Sequence, residues 1–138
     1  MQVELKYANG NQRGELPFEA FVLRPQMSQP EASVETLIRE ALAAPIGRPT
    51  LRESFDKADQ VVIVTSDITR YTGSEIYLPL LIEQLNNCGI ADSQISILIA
   101  LGIHRPQTEA EHRKILGSIF GRIAVFDHDC DDEEQLVD

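Results

Sequence analysis

VVIVTSDITR, residues 61–70, begins with four β-branched aliphatic residues, Val61 to Val64, and turns polar within three positions. A run this short and this β-branched predicts a strand covered on both faces, not a helix. Asp67, Thr69 and Arg70 stand where that strand ends. ILIALGIHRP, residues 97–106, repeats the arrangement, with His104 just past the end of a second apolar run. Arg122 to Phe126 reads as a third strand.

The segments between these runs are helical. Glu75 to Asn87 places Leu81, Ile82 and Leu85 among its buried positions, with Pro79 in the first turn or at a kink, and Cys88-Gly89 ends it. Thr108 and Glu111 have capping-box spacing for a helix that Gly117 closes. Strand, helix, strand, helix, strand predicts a parallel sheet with right-handed crossovers. Upstream, a helix is expected from Glu31, with Val34, Leu37, Ile38, Ala41 and Leu42 on one buried face. Ser28 and Glu31 have capping-box spacing at its start, and Pro45 with Gly47 stops it. RPTLRESFDKAD is expected as a loop and short helix. Val3 to Tyr7 and Phe18 to Leu23 read as two strands joined by the turn-rich ANGNQRGELP. The expected fold class is therefore α/β: a mostly parallel sheet with flanking helices, Rossmann-like and three-layered, plus an N-terminal antiparallel β pair.

A chain of 138 residues suits one domain, with a β-rich start over residues 1–30 and a βαβαβ core over residues 45–130. Its 43% hydrophobic and 25% charged content is that of a globular protein. No apolar run approaches the roughly 20 residues that span a bilayer. The N-terminus MQVELKYANG lacks a signal-peptide core, so a cytoplasmic location is expected. Cys88 and Cys130 lack metal-ligand spacing and read as free thiols. A net charge of −10, with only 12 Lys and Arg, argues against a nucleic-acid surface and an anionic membrane, while a few placed cations remain able to hold a small anion.

In an open parallel sheet, ligands bind beyond the carboxyl ends of the strands. Adjacent strands lie about 5 Å apart, so SDITR and GIHRP are placed to line one small pocket. Each residue also has a plainer reading. Asp67 before Thr69 can be a turn or cap, Arg70 a surface ion-pair partner and His104 an exposed loop histidine. Neither stretch is a phosphate-cradling glycine loop. His112 reads as part of a solvated helix face. FDHDCDD holds metal-ligand types, but neighbours on an extended chain point to opposite sides, so Asp127, His128, Asp129 and Cys130 read as an acidic tail.

Together, PIG at 45–47, SDITR at 66–70, LPLLIEQLNNCGI, ALGIHRPQTEAE and HD at 128–129 carry a resemblance. From about Pro45 onward the chain resembles the N-terminal domain of the nickel-pincer-dependent lactate racemase family, which are racemases and epimerases of 2-hydroxyacids. The resemblance implies that Asp67, Ile68, Thr69 and Arg70 contact a nickel-bearing pyridinium mononucleotide pincer. It implies substrate contact by Arg70, and a proton-transferring role on a small 2-hydroxyacid for His104, with hydride transfer between the substrate carbon and the pincer ring. The sequence departs from the family pattern after Arg70, where Tyr71 stands in place of proline. Family members carry a second domain that supplies the cofactor-linked lysine, the nickel-binding histidine and the second catalytic histidine. The resemblance thus implies a chain that lacks its C-terminal partner domain, holds no metal or cofactor alone and does not catalyse as a fragment. A binding domain for a small anion, and a structural domain without catalysis, are the competing readings.

Overall fold

The computed structural model describes residues 1–23 and 31–132. It divides the chain into two compact units, Met1–Glu31 and Ala32–Asp138.

The first unit is a β hairpin. Strand β1, Gln2–Tyr7, pairs antiparallel with β2, Gly10–Glu15, through a two-residue turn at Ala8 and Asn9. The antiparallel pair is present, but its second strand is not the expected one. Phe18 to Leu23 has no strand structure, and Phe21 and Leu23 are almost fully exposed. The polar stretch read as a loop forms the ladder instead. Backbone pairing needs no buried face: Glu4 accepts from Asn11 at 2.8 Å and pairs with Arg13 at 3.3 Å across the strands.

The second unit begins with helix α1, Val34–Ala43, and the short α2, Leu51–Ser54. The first helix starts three residues later than expected. Ser33 caps it, accepting from the Thr36 amide at 3.1 Å, while Ser28 lies outside the described residues. Its apolar face is only partly used. Ile38 and Leu42 are half-buried, whereas Val34 and Leu37 are exposed.

Three strands follow in the order of the chain: β3, Val61–Ser66, β4, Ile95–Ala100, and β5, Ala124–Asp127, all parallel. Helix α3, Ser74–Asn87, joins the first to the second, and α4, Glu109–Leu116, joins the second to the third. In α3, Leu78, Ile82 and Leu85 recur at helical spacing and are buried. They pack with Ile97, Ile99, Ile115 and Leu116 in one core. Thr108 and Glu111 form the expected capping box at the head of α4.

The pleat decides which strand residues reach that core. Val61, Ile95, Ile97 and Ile99 face the helices and are buried. Val62, Val64 and Phe126 face the other way and are 61%, 64% and 59% exposed. The expectation of strands covered on both faces therefore holds for one face only. Strand order runs steadily in one direction, so two crossovers of the same hand place both helices on the same side. Among the described residues no helix is long and apolar enough to cross a membrane.

Candidate functional site

Strand β3 ends at Ser66, and the next residue caps a single turn of 3₁₀ helix over Ile68–Arg70. The buried Asp67 carboxylate uses its two oxygens differently. Oδ1 accepts from the Thr69 amide at 3.1 Å and the Thr69 hydroxyl at 2.7 Å. Oδ2 is hydrogen-bonded to His104 Nδ1. Asp67 thus caps the turn with one oxygen and meets the neighbouring loop with the other.

His104 comes from the neighbouring strand end. Beyond β4, its amide closes a turn onto the Leu101 carbonyl at 3.1 Å, and Gly102, at φ +59°, lets the chain reverse in the left-handed region. The imidazole side chain is 44% exposed although its Asp67 partner is only 2% exposed. One ring nitrogen is held inside while the rest of the ring faces open space.

The two loops enclose a cavity of about 540 Å³, lined among others by Ser66, Asp67, Arg70, Gly102, Ile103 and His104. Arg70 has no carboxylate partner among the described residues. Arg39, Arg105, Arg113 and Arg122, by contrast, are all paired. Ile68 and Thr69 do not line the cavity: Ile68 packs against the core, and the Thr69 hydroxyl is spent on Asp67. Tyr77 likewise turns inward, to the Thr65 hydroxyl at 3.0 Å. Tyr71 hydrogen-bonds Glu75 and lies under Lys114.

The hydrogen bond from His104 holds the Asp67 carboxyl below the ordinary carboxylate range. Burial pushes it upward and Thr69 helps to pull it down, leaving the net direction downward. Asp67 is therefore ionised near neutral pH and can only accept, which makes His104 Nδ1 the donor. In the neutral ring Nε2 then carries the free lone pair.

Three more residues join this edge: Gln107, which sequence reasoning passed over, and Asp127 and His112, which it read as tail and as solvated helix face. Gln107, 8% exposed, accepts from the Ile68 amide at 3.1 Å through its side-chain oxygen. Its backbone amide donates to Asp127 Oδ2 at 2.7 Å. Asp127 Oδ1 lies 2.8 Å from His112 Nε2. His112 is consequently half-buried and paired rather than solvated, and Asp127 is the last residue of β5 rather than the start of a tail. The sign that could have found Asp127 is its place at the carboxyl end of a strand, on the same edge as Asp67 and His104.

The family described as the lactate racemase N-terminal domain matches residues 7–138. A lactate racemase of Thermoanaerobacterium thermosaccharolyticum is 30% identical over 139 residues, covering 98% of this chain and 30% of that protein. A lactate racemase of Lactiplantibacillus plantarum is 34% identical over 101 residues, covering 73% of this chain and 22% of that protein. The structure of the lactate racemase apoprotein from T. thermosaccharolyticum aligns with a TM-score of 0.78 at 30% identity, over 97% of this chain and 31% of that one. The chain spans less than a third of the length of these relatives.

Proposed function

The chain belongs to the lactate racemase N-terminal domain family, and on that premise we propose that it forms one wall of the active site of a longer enzyme racemising a small 2-hydroxyacid. The observation that carries this reading is the Asp67–His104 pair, on adjacent strand ends, opening into a cavity with an arginine that has no carboxylate partner among the described residues. Asp67 orients the imidazole and stabilises the positive charge it gains on protonation. Nε2, directed away from Asp67, takes the hydroxyl proton of the substrate and returns it, because an imidazole exchanges protons near neutral pH. Racemisation needs proton handling on both faces of the substrate, and a second histidine from the C-terminal part of the enzyme meets that need.

The cofactor implied by family resemblance is a nickel-bearing pyridinium mononucleotide. The donor chemistry here fits its phosphate-bearing end: Arg70 presents a planar fork suited to phosphate or carboxylate. A cavity of about 540 Å³ falls within the size range of small-ligand sites. Among the described residues no group of three or more His, Cys, Asp and Glu is arranged to hold a metal ion. Following the resemblance, the nickel ligands are assigned in this reading to the C-terminal part. When bound, the pincer supplies an acceptor for the hydride of the substrate carbon. The residues of this chain hold the anionic end and the hydroxyl proton.

The test is His104→Gln in the racemase containing this domain, with conversion of one lactate enantiomer followed by chiral chromatography. Glutamine keeps approximate size and hydrogen bonding but cannot cycle a proton. Turnover should fall by about 10²- to 10⁴-fold with the melting temperature unchanged. Turnover per folded molecule equal to that of the unsubstituted enzyme would discard the reading.

A further inference from the structure

Two hydrogen bonds, not one, join the loop of Asp67 to the loop of His104. The first is the Asp67–His104 pair itself, half open to the cavity. The second is buried: the Gln107 side chain reaches back from the His104 loop to the amide of Ile68, the residue after Asp67. A single bond between two loops acts as a hinge, about which the imidazole can swing. Two bonds, adjacent on one loop and three residues apart on the other, remove that freedom.

Gln107 is itself held. Its backbone amide donates to Asp127, so the residue whose side chain braces β3 and β4 is anchored through its main chain to the end of β5, and Asp127 is fixed from its other side by His112. Thr108, the next residue, caps α4, and Arg105 forms a two-point ion pair with Glu111 at 2.8 and 2.9 Å. The segment from His104 to Thr108 is thus tied to all three strand ends and to a helix, and only the outer part of the imidazole is left toward the cavity. The Ile68 amide matters in its own right. It is the first N–H of the 3₁₀ turn, with no partner within that turn, and leaving it buried and unpaired carries a desolvation cost.

We propose that Gln107 is a positioning residue for His104: its side chain ties the Ile68 amide to the His104 loop while Asp127 holds its backbone amide, and this keeps Nδ1 on Asp67 and Nε2 toward the cavity. This rests on the reading of His104 as the proton-transferring group, and it assigns a role to a buried glutamine that touches neither substrate nor cofactor.

The experiment uses the 138-residue chain labelled with ¹⁵N, since the bonds concerned lie within it. Long-range proton–nitrogen NMR correlations of the imidazole report which ring nitrogen carries the proton. In the unsubstituted chain, above the imidazole titration, His104 should show a single tautomer protonated at Nδ1. Gln107→Met removes the acceptor at similar size, and Gln107→Asn keeps the amide but falls one carbon short of Ile68. Both should shift the His104 nitrogens toward the average of the two tautomers and broaden them, while Gln107→Glu, which retains an oxygen for the Ile68 amide, should restore the single tautomer. If Gln107→Met does not fold, Gln107→Asn decides. A folded Met or Asn variant with a lowered melting temperature and an unaltered His104 signature would overturn the proposal and leave Gln107 a purely structural residue. The ring resonances are read without turnover, so failure of the catalytic reading, seen as an active His104→Gln racemase, is a separate result.

Discussion

At the scale of single residues, the pair at the strand ends makes Asp67→Asn an informative change. Asparagine can still accept from Thr69 with its oxygen, but it then turns an NH₂ group toward His104 Nδ1. Two donors cannot bond, so the ring adopts the other tautomer and Nε2 acquires the proton. Racemisation should fall by about 10²- to 10⁴-fold, and the same NMR correlations should show His104 protonated at Nε2. For Arg70, replacement by lysine keeps the charge and removes the fork. If Arg70 holds an anionic end, ligand affinity should weaken roughly tenfold, the loss of one charge-assisted bond of about 1.5 kcal/mol, as titration calorimetry of the holoenzyme would read. Unchanged affinity would return Arg70 to the surface. Both residues were singled out in the sequence because they lie within six positions past the apolar run Val61 to Val64. Gln107 was not: its partner is a backbone amide from a loop far off in sequence, and nothing in PQT marks that.

Single elements carry their own tests, and α4 holds two. At its head, Arg105 first and then the Thr108 amide lower the Glu111 carboxyl from its ordinary 4.5 to about 2. A carboxyl depressed by folding contributes stability that is fully present above its unfolded value. That contribution is lost as pH falls from about 4.5 toward 2. Melting temperature should drop over this window, and Glu111→Gln should shallow the drop while lowering stability at pH 7; parallel curves would refute it. At its foot, Gly117 has φ +55° and presses on the first turn of α3, where an added Cβ would sit 2.8 Å from Glu75 Cβ and 2.9 Å from the Glu75 carbonyl. That carbonyl would meet residue 79 in an unbroken helix, but Pro79 has no N–H to offer. Gly117→Ala should destabilise by at least about 1–3 kcal/mol from backbone strain alone, measured by denaturant unfolding. The capping box was legible because its two residues are three apart. The hairpin strand Gly10–Glu15 was not, because an exposed ladder imposes no hydrophobic alternation, and the apolar Phe18 to Leu23 drew the strand assignment away from it.

For the molecule as a whole, the alternation of strands and helices identified the parallel sheet, but strand composition alone misjudged its cover. Val61 to Val64 is apolar at every position, as a strand between two layers should be, yet only alternate residues meet the core of this chain. Period-two reading could not separate the faces, since both are apolar. Strand order does separate them: a sheet that advances in one direction with crossovers of one hand collects its helices on one side. The two faces should therefore respond very differently to substitution in the 138-residue chain. Ile97, with no exposed surface, packs among α3 and α4 residues, and Ile97→Ala should cost about 2–5 kcal/mol through lost burial and the cavity left behind. Val64, on the neighbouring strand and 64% exposed, gives up little, so Val64→Thr should stay within about 0.5 kcal/mol. Threonine keeps the branched shape that suits a strand, so any larger effect would have to come from burial. Urea unfolding of the two variants measures both. A Val64→Thr loss comparable to that of Ile97→Ala would mean that the open face is covered in solution, by a second copy of the chain if the loss shrinks with dilution.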